Sequence, residues 1–280
     1  MCRSVLSIQR SKEEIQQIYH WVRKGKVWAY VEMGGIFSKM GSDEQLYKLA
    51  KKLLELASQQ GDAVAQHNLG LMYLNGFGVT KSFEIARKYF EAAAKQGYTT
   101  AQFNLGVMYQ KGYDGVAQND EKAKEYFEAA AEKGHANAQT NFGVMFLEGS
   151  NGVAQNYEKA KEYFEAAAKQ GYTTAHFNLG VMFQKGYGVD QNDEKAKEYF
   201  EAAAEKGHAK AQVSLGVMYL QGNGVAQNYE RAKEYFEAAA QQGNADAQFN
   251  LALMYQQGEA LEKNDEKAKE YFEAAAEKGH

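Results

Sequence analysis

The 280-residue chain has no proline and a single cysteine, Cys2. A lone cysteine excludes an intramolecular disulfide and suits a reducing compartment. No apolar run approaches the ~18–20 residues that cross a bilayer, so no membrane span is expected. Met1 to Arg10 lacks a long apolar core and a small-residue cleavage site, which argues against a secretory signal. The expectation is a cytoplasmic protein; export by a route without a cleaved signal is the alternative. Net charge is also small. The net value is −4, and Lys and Arg alternate with Glu instead of clustering, so there is no nucleic-acid footprint.

Chemical motifs are missing too. S-x-x-K, G-x-S-x-G and H-E-x-x-H do not occur. The glycine-rich turns follow helices and lack the GxxxxGK[ST] phosphate loop. His135, His208 and His280 recur at equivalent positions, far apart along the chain, whereas metal ligands must converge on one ion. His20, His67 and His176 are isolated from other ligands. Asp120 and Glu121 read as helix N-terminal charges. No catalytic residue, cofactor or metal is expected, and the protein reads as non-enzymatic.

What the chain has is repetition. Thr99 to Gly134, TTAQFNLGVMYQKGYDGVAQNDEKAKEYFEAAAEKG, returns as Thr173 to Gly207 with few changes. Alanines at 65, 101, 138, 175, 211 and 247 mark steps of 36 or 37 residues. A fixed period of this size signals a solenoid or similar array. In one unit, Ala101, Leu105, Met108 and Tyr109 follow i, i+4, i+7, i+8, one face of a helix. Ala123, Tyr126, Phe127 and Ala130 form the apolar face of a second helix. Lys124, Glu125, Glu128 and Glu132 turn to water. Thr99 with Gln102 reads as a capping box, Asn119 as an N-cap and Gly134 as a left-handed C-cap. Gly112 and Gly115 permit the reversal between the helices. The mid-helix glycine at 70, 106, 143, 180 and 216, Ala252 in the last copy, implies close helix contact, met by Ala123 and Ala130.

The pattern A-x3-L-G-x2-Y-x2-G, then K-A-x2-Y-F-x2-A-A-x2-G, resembles the Sel-one-like repeat, a relative of the tetratricopeptide repeat. Gly76-Phe77-Gly78-Val79 and Gly186-Tyr187-Gly188-Val189 carry its turn intact. The resemblance implies an all-α fold, a right-handed α-α superhelix of helix pairs, and a role in binding proteins. Some secreted relatives staple their pairs with disulfides, and this chain departs from them.

Residues 1–28 read as a tail plus a capping helix opened by Ser11 and Glu14, with Ile15, Ile18, Tyr19 and Val22 on one face. Seven repeats follow, at about 29–61, 65–97, 101–134, 138–171, 175–207, 211–243 and 247–279. The first is degenerate, with Ala29, Met33, Gly34 and Phe37 in register and a capping box at Ser42 and Gln45. KQGYTTA and EKGHA alternate at the unit junctions, which points to duplication of pairs. Solenoid ends need polar caps. The last helix, with Tyr271, Phe272 and Ala275, repeats the internal design before Gly279-His280, so either a continuing chain or self-association through that end is expected.

A partner site is expected on the first helices, opposite their buried face. Phe103, Val107 and Gln110 lie there, as do Phe177, Val181 and Gln184, then Phe249, Leu253 and Gln256. His67, Leu71 and Leu74, Thr140, Val144 and Leu147, and Val213, Val217 and Leu220 correspond. In tetratricopeptide-like arrays these positions line a concave groove suited to peptides; tight winding would instead bury many of them. Asn68, Asn104, Asn141, Asn178 and Asn250 form a polar ladder beside them. The amides either meet a peptide backbone or bond within the repeat. The leading reading is a scaffold holding a partner protein or extended peptide in the groove. The resemblance also implies two alternatives: a bacterial effector acting on a host protein, and a β-lactam-binding or hydrolysing protein.

Overall fold

The fold was obtained as a computed structural model, which describes residues 12–39, 44–258 and 262–278. The capping boxes at Ser11 and Ser42, Cys2 with its tail, and the closing Gly279-His280 involve positions outside the described residues. Among the described residues there are fifteen α-helices and no strand, consistent with consecutive helix pairs packed as a repeat solenoid.

The chain divides at His135/Ala136 into two compact units. The first holds α1 (Lys12–Arg23) and the pairs α2 (Val27–Lys39)/α3 (Glu44–Gln59), α4 (Ala63–Asn75)/α5 (Phe83–Lys95) and α6 (Thr99–Lys111)/α7 (Asp120–Glu132). The second holds the pairs α8 (Ala136–Glu148)/α9 (Tyr157–Lys169), α10 (Thr173–Lys185)/α11 (Asp193–Ala204), α12 (Ala209–Gln221)/α13 (Tyr229–Gln241) and α14 (Ala245–Gln257)/α15 (Asp265–Ala276). Within each unit every helix packs on the next in sequence.

Local chemistry sets the helix ends. Asn119 Oδ1 accepts from the Lys122 N–H at 2.9 Å, and Asn156, Asn192, Asn228 and Asn264 do the same for later second helices. At the far end of α7 the Gly134 N–H donates to Ala131 O and the His135 N–H to Ala130 O. Gly134 sits at φ +81°, where a Cβ would be strained. The expected capping box at Thr99 and Gln102 is not formed. Helix α6 begins at Thr99, which puts this residue past the cap, and its N-cap Tyr98 makes no side-chain cap bond. Other first helices are capped by Asp62, His208 and Asn244.

Phenylalanine, not alanine, explains the mid-helix glycine. A Cβ on Gly106 would stand 2.7 Å from the Phe127 ring, and Gly70, Gly143, Gly180 and Gly216 press equally on Phe90, Phe164, Phe200 and Phe236. Those five rings are fully buried, each contributing about 1.5–3 kcal/mol. Where Ala252 replaces the glycine, Phe272 is half-buried.

Across the same seam, six ring pairs stack at 5.6–5.9 Å, from Tyr73/Tyr89 to Tyr255/Tyr271. From the third repeat onward a cation covers the first-helix ring, as Lys122 does Tyr109 at 5.1 Å and Arg231 does Tyr219 at 5.3 Å.

Neighbouring repeats are keyed at the turn. Phe77 stacks on Tyr47, Tyr113 on Phe83 and Tyr187 on Tyr157, each turn ring meeting the start of the preceding second helix. Gly78 and Gly188 let the backbone pass against Tyr47 and Tyr157, leaving no room for a Cβ.

The KQG/EKG alternation has a counterpart in hydrogen bonds. Gln96, Gln170 and Gln242 donate to Gln66, Gln139 and Gln212 of their own repeat, at 2.8–2.9 Å. Lys133 and Lys206 instead reach back to the carbonyls of Gly97 and Gly171. In lysine-type repeats Gln102 and Gln248 keep a buried Oε1 without a partner.

Candidate functional site

The side of each first helix away from its core forms a half-buried stripe. In the first unit Phe103, Asn104, Val107 and Gln110 of α6 lie on it, with Asn68, Leu71 and Leu74 of α4. The second unit has a stripe of its own, with Asn141 and Val144 of α8, Phe177, Asn178, Val181 and Gln184 of α10, Val213 and Val217 of α12, and Phe249, Asn250 and Leu253 of α14. Gln256 is exposed. Two positions differ from expectation. His67 is 6% and Thr140 3% exposed, so neither presents a surface; Thr140 turns its hydroxyl to Ala136 O.

The stripe is partly packed against the next repeat and partly open. Phe177 and Val181 lie on the core formed by Phe200, Leu215 and Met218; Val213 and Val217 pack on that of Leu251 and Met254. Between α10 and α12 a depression of about 380 Å³ remains, lined by Gln184, Lys185, Gln191, Asp193, Val213, Ser214, Val217, Gln221 and Asn223. Its floor is aliphatic and its rim carries amides and one charge of each sign. That combination can hold a small apolar side chain while bonding a peptide backbone.

The asparagine ladder is not uniform. Asn104 Nδ2 lies 3.1 Å from His67 Nε2, tying α6 to α4. Asn250 bonds inside its own helix, to Asp246 O, and Ser214 likewise to Lys210 O. Asn178 Nδ2 is buried without a partner.

The histidines serve the stripe in a way that their spacing does not reveal. The His135 ring stacks on Phe103 at 5.0 Å, and His208 on Phe177 at 4.8 Å. Each histidine stands just past the closing glycine of a repeat and braces the phenylalanine of that repeat's first helix. Burial holds both imidazoles below the usual histidine range; Lys210 adds to the effect at His208. His67 is pushed down to about 4, chiefly by burial; an Asn68 hydrogen bond opposes this and the His135 charge reinforces it. Among the described residues no three His, Cys, Asp or Glu side chains gather to hold a metal, and no helix is long and apolar enough to cross a membrane.

The Sel1 repeat model matches seven times in succession, at residues 29–62, 63–98, 99–135, 136–172, 173–208, 209–244 and 245–280. A protective antigen present in uropathogenic Escherichia coli strains, displaying an SLR fold, is 33% identical with a TM-score of 0.81; the match covers 95% of this chain and 56% of that one. This chain therefore spans little more than half of that protein. A Sel1 repeat protein from Oxalobacter formigenes is also 33% identical with a TM-score of 0.81, covering 88% of this chain and 96% of its own. An immunity protein from Pseudomonas aeruginosa, 22% identical with a TM-score of 0.51 over 77% of this chain and 82% of that one, is similar in fold. No curated protein matches.

Proposed function

The chain belongs to the Sel1 repeat family, and from that premise we propose a non-enzymatic scaffold that holds an extended segment of a partner protein along its first-helix stripe. Sel1 repeat proteins are generally protein-interaction scaffolds. The observation that carries the reading to this surface is the depression between α10 and α12, where Val213 and Val217 are ringed by Gln184, Gln191, Gln221 and Asn223. An apolar floor favours side-chain burial. The amides around it, of which Asn223 donates to Gln221 at 2.9 Å, favour a ligand that brings backbone N–H and C=O groups. The braced phenylalanines, Phe103 and Phe177, supply the rigid aromatic surface from which binding hot spots are commonly built.

Partner capture with matched variants tests this. Wild type, a stripe variant (Phe177→Ala with Gln184→Ala) and an outer-face variant (Lys197→Ala with Glu201→Ala) are compared. Loss of the partner in the stripe variant alone supports the reading. Loss in the outer-face variant alone would move the interface to the second helices.

A further inference from the structure

Both tryptophans of the chain stand at one corner. Trp21 lies near the end of α1 and Trp28 near the start of α2, with ring centroids 6.3 Å apart. Trp21 is 36% and Trp28 50% exposed. The repeat architecture does not require either. In register with Trp21 are alanines such as Ala57, Ala93 and Ala130, all at 0% exposure. An indole is far larger than that slot. In register with Trp28 are Val64, Thr100, Asn137, Thr174, Lys210 and Asp246, so no other repeat places an aromatic ring at this site.

The corner is also positive. Residues 20–28 contain Arg23, Lys24 and Lys26 and no Asp or Glu, against one acid, Glu32, a turn further along α2, in a chain of net charge −4. Lys24 Nζ lies 5.1 Å over the Trp21 ring, and the His20 ring meets it edge-on at 5.3 Å. Tryptophan and arginine are the side chains most often found to dominate binding energy.

We infer that this corner docks an acidic segment of a partner protein bearing bulky apolar side chains. The indoles take the apolar anchor and the three cations take the flanking carboxylates. Residues 1–11 of the chain itself carry Arg3 and Arg10 and no acid, the wrong sign for the site. An anionic bilayer would attract the same groups, but the remainder of this chain is net negative and opposes approach to such a surface.

The two indoles are the only tryptophans, so their fluorescence reports this corner and not the first-helix stripe. The full chain is titrated with a short Trp-free peptide of Asp and Glu around a central Leu-Phe pair. The expected result is a saturable blue shift, weakened about tenfold in Lys24→Glu with Lys26→Glu, as for charge pairs across an interface. A peptide with Ser in place of the Leu-Phe pair should give no shift. Both lysines are exposed, and circular dichroism confirms that the variant folds. The inference is overturned by no response to the acidic peptide, or by a response the lysine changes leave untouched. It is equally overturned by a shift with phosphatidylserine vesicles but not with peptide, or by indoles already shielded from acrylamide in the unliganded chain.

Discussion

The ring of Phe164 occupies the space that a side chain on Gly143 would need: a Cβ there would stand 2.7 Å from the ring's Cε1. Since both groups are fully buried, neither can move into solvent. Gly143→Val is therefore expected to destabilise by about 1–3 kcal/mol or more, as overpacked cores do. Gly143→Ala should cost less, because alanine's helix propensity returns about 1 kcal/mol. Glu128→Ala on the charged face should change stability by under ~0.5 kcal/mol. Urea midpoints of the three variants check the order; equal midpoints would remove the close contact from the account.

The repeat-closing residue offers a second test. Lys133→Gln places an amide donor where Gln102 Oε1 has no partner, as Gln242 does for Gln212. It should raise stability by about 0.5–1.5 kcal/mol, the net value of one hydrogen bond. The reverse change, Gln242→Lys, leaves the buried Gln212 oxygen unpaired and should cost about 1–3 kcal/mol. Thermal unfolding of both variants decides, and shifts of the same sign would contradict the pairing.

A buried neutral histidine makes stability depend on pH. His67 falls from 6.5 in the unfolded chain to about 4 in the fold, mainly through burial. The unfolded state thus binds more protons between those values, so the contribution is complete above pH 6.5 and is lost as pH falls toward 4. At about 1.4 kcal/mol per pKa unit, the loss is about 3 kcal/mol at most. The unfolding free energy of the wild type should drop more steeply over this window than that of His67→Gln. Parallel curves would show that His67 is not the group responsible.

The turn stack predicts a graded pair. Tyr187→Ala removes one ring from Tyr157 and should cost about 0.5–1.5 kcal/mol. Gly188→Ala should cost more, because that residue has φ +66° and its Cβ would collide with Tyr157. Denaturant midpoints for the two variants test the order.

Spacing alone was enough to read the helices, because Ala101, Leu105, Met108 and Tyr109 recur at helical intervals and each must face the core for the unit to bury anything. The glycine of each first helix was legible as a close contact, but its partner was not: Phe127 lies 21 residues from Gly106 in sequence, and the neighbouring alanines fit the pattern equally well. The Gln96–Gln66 bond, across 30 residues, leaves its trace only as the KQG/EKG alternation. Likewise, Phe77 and Tyr47 appear in sequence as a turn residue and a helix residue with nothing to join them. At the candidate site, periodicity found the stripe but overstated it, since His67 and Thr140 share the phase of Phe103 yet are buried. The recurrence of His135 and His208 is visible in the sequence, but their stacking on Phe103 and Phe177 is not, because each ring pair joins residues about thirty positions apart.

The central claim is that a partner lies along the first-helix stripe. Its most direct test is the dissociation constant of a captured partner measured against wild type, Phe177→Ala with Gln184→Ala, and Lys197→Ala with Glu201→Ala, each first shown to melt cooperatively. The account predicts a loss of about tenfold or more for the stripe variant, as for a binding hot spot, and an unchanged value for the outer-face variant. An unchanged constant for the stripe variant with a weakened one for the outer-face variant would contradict it.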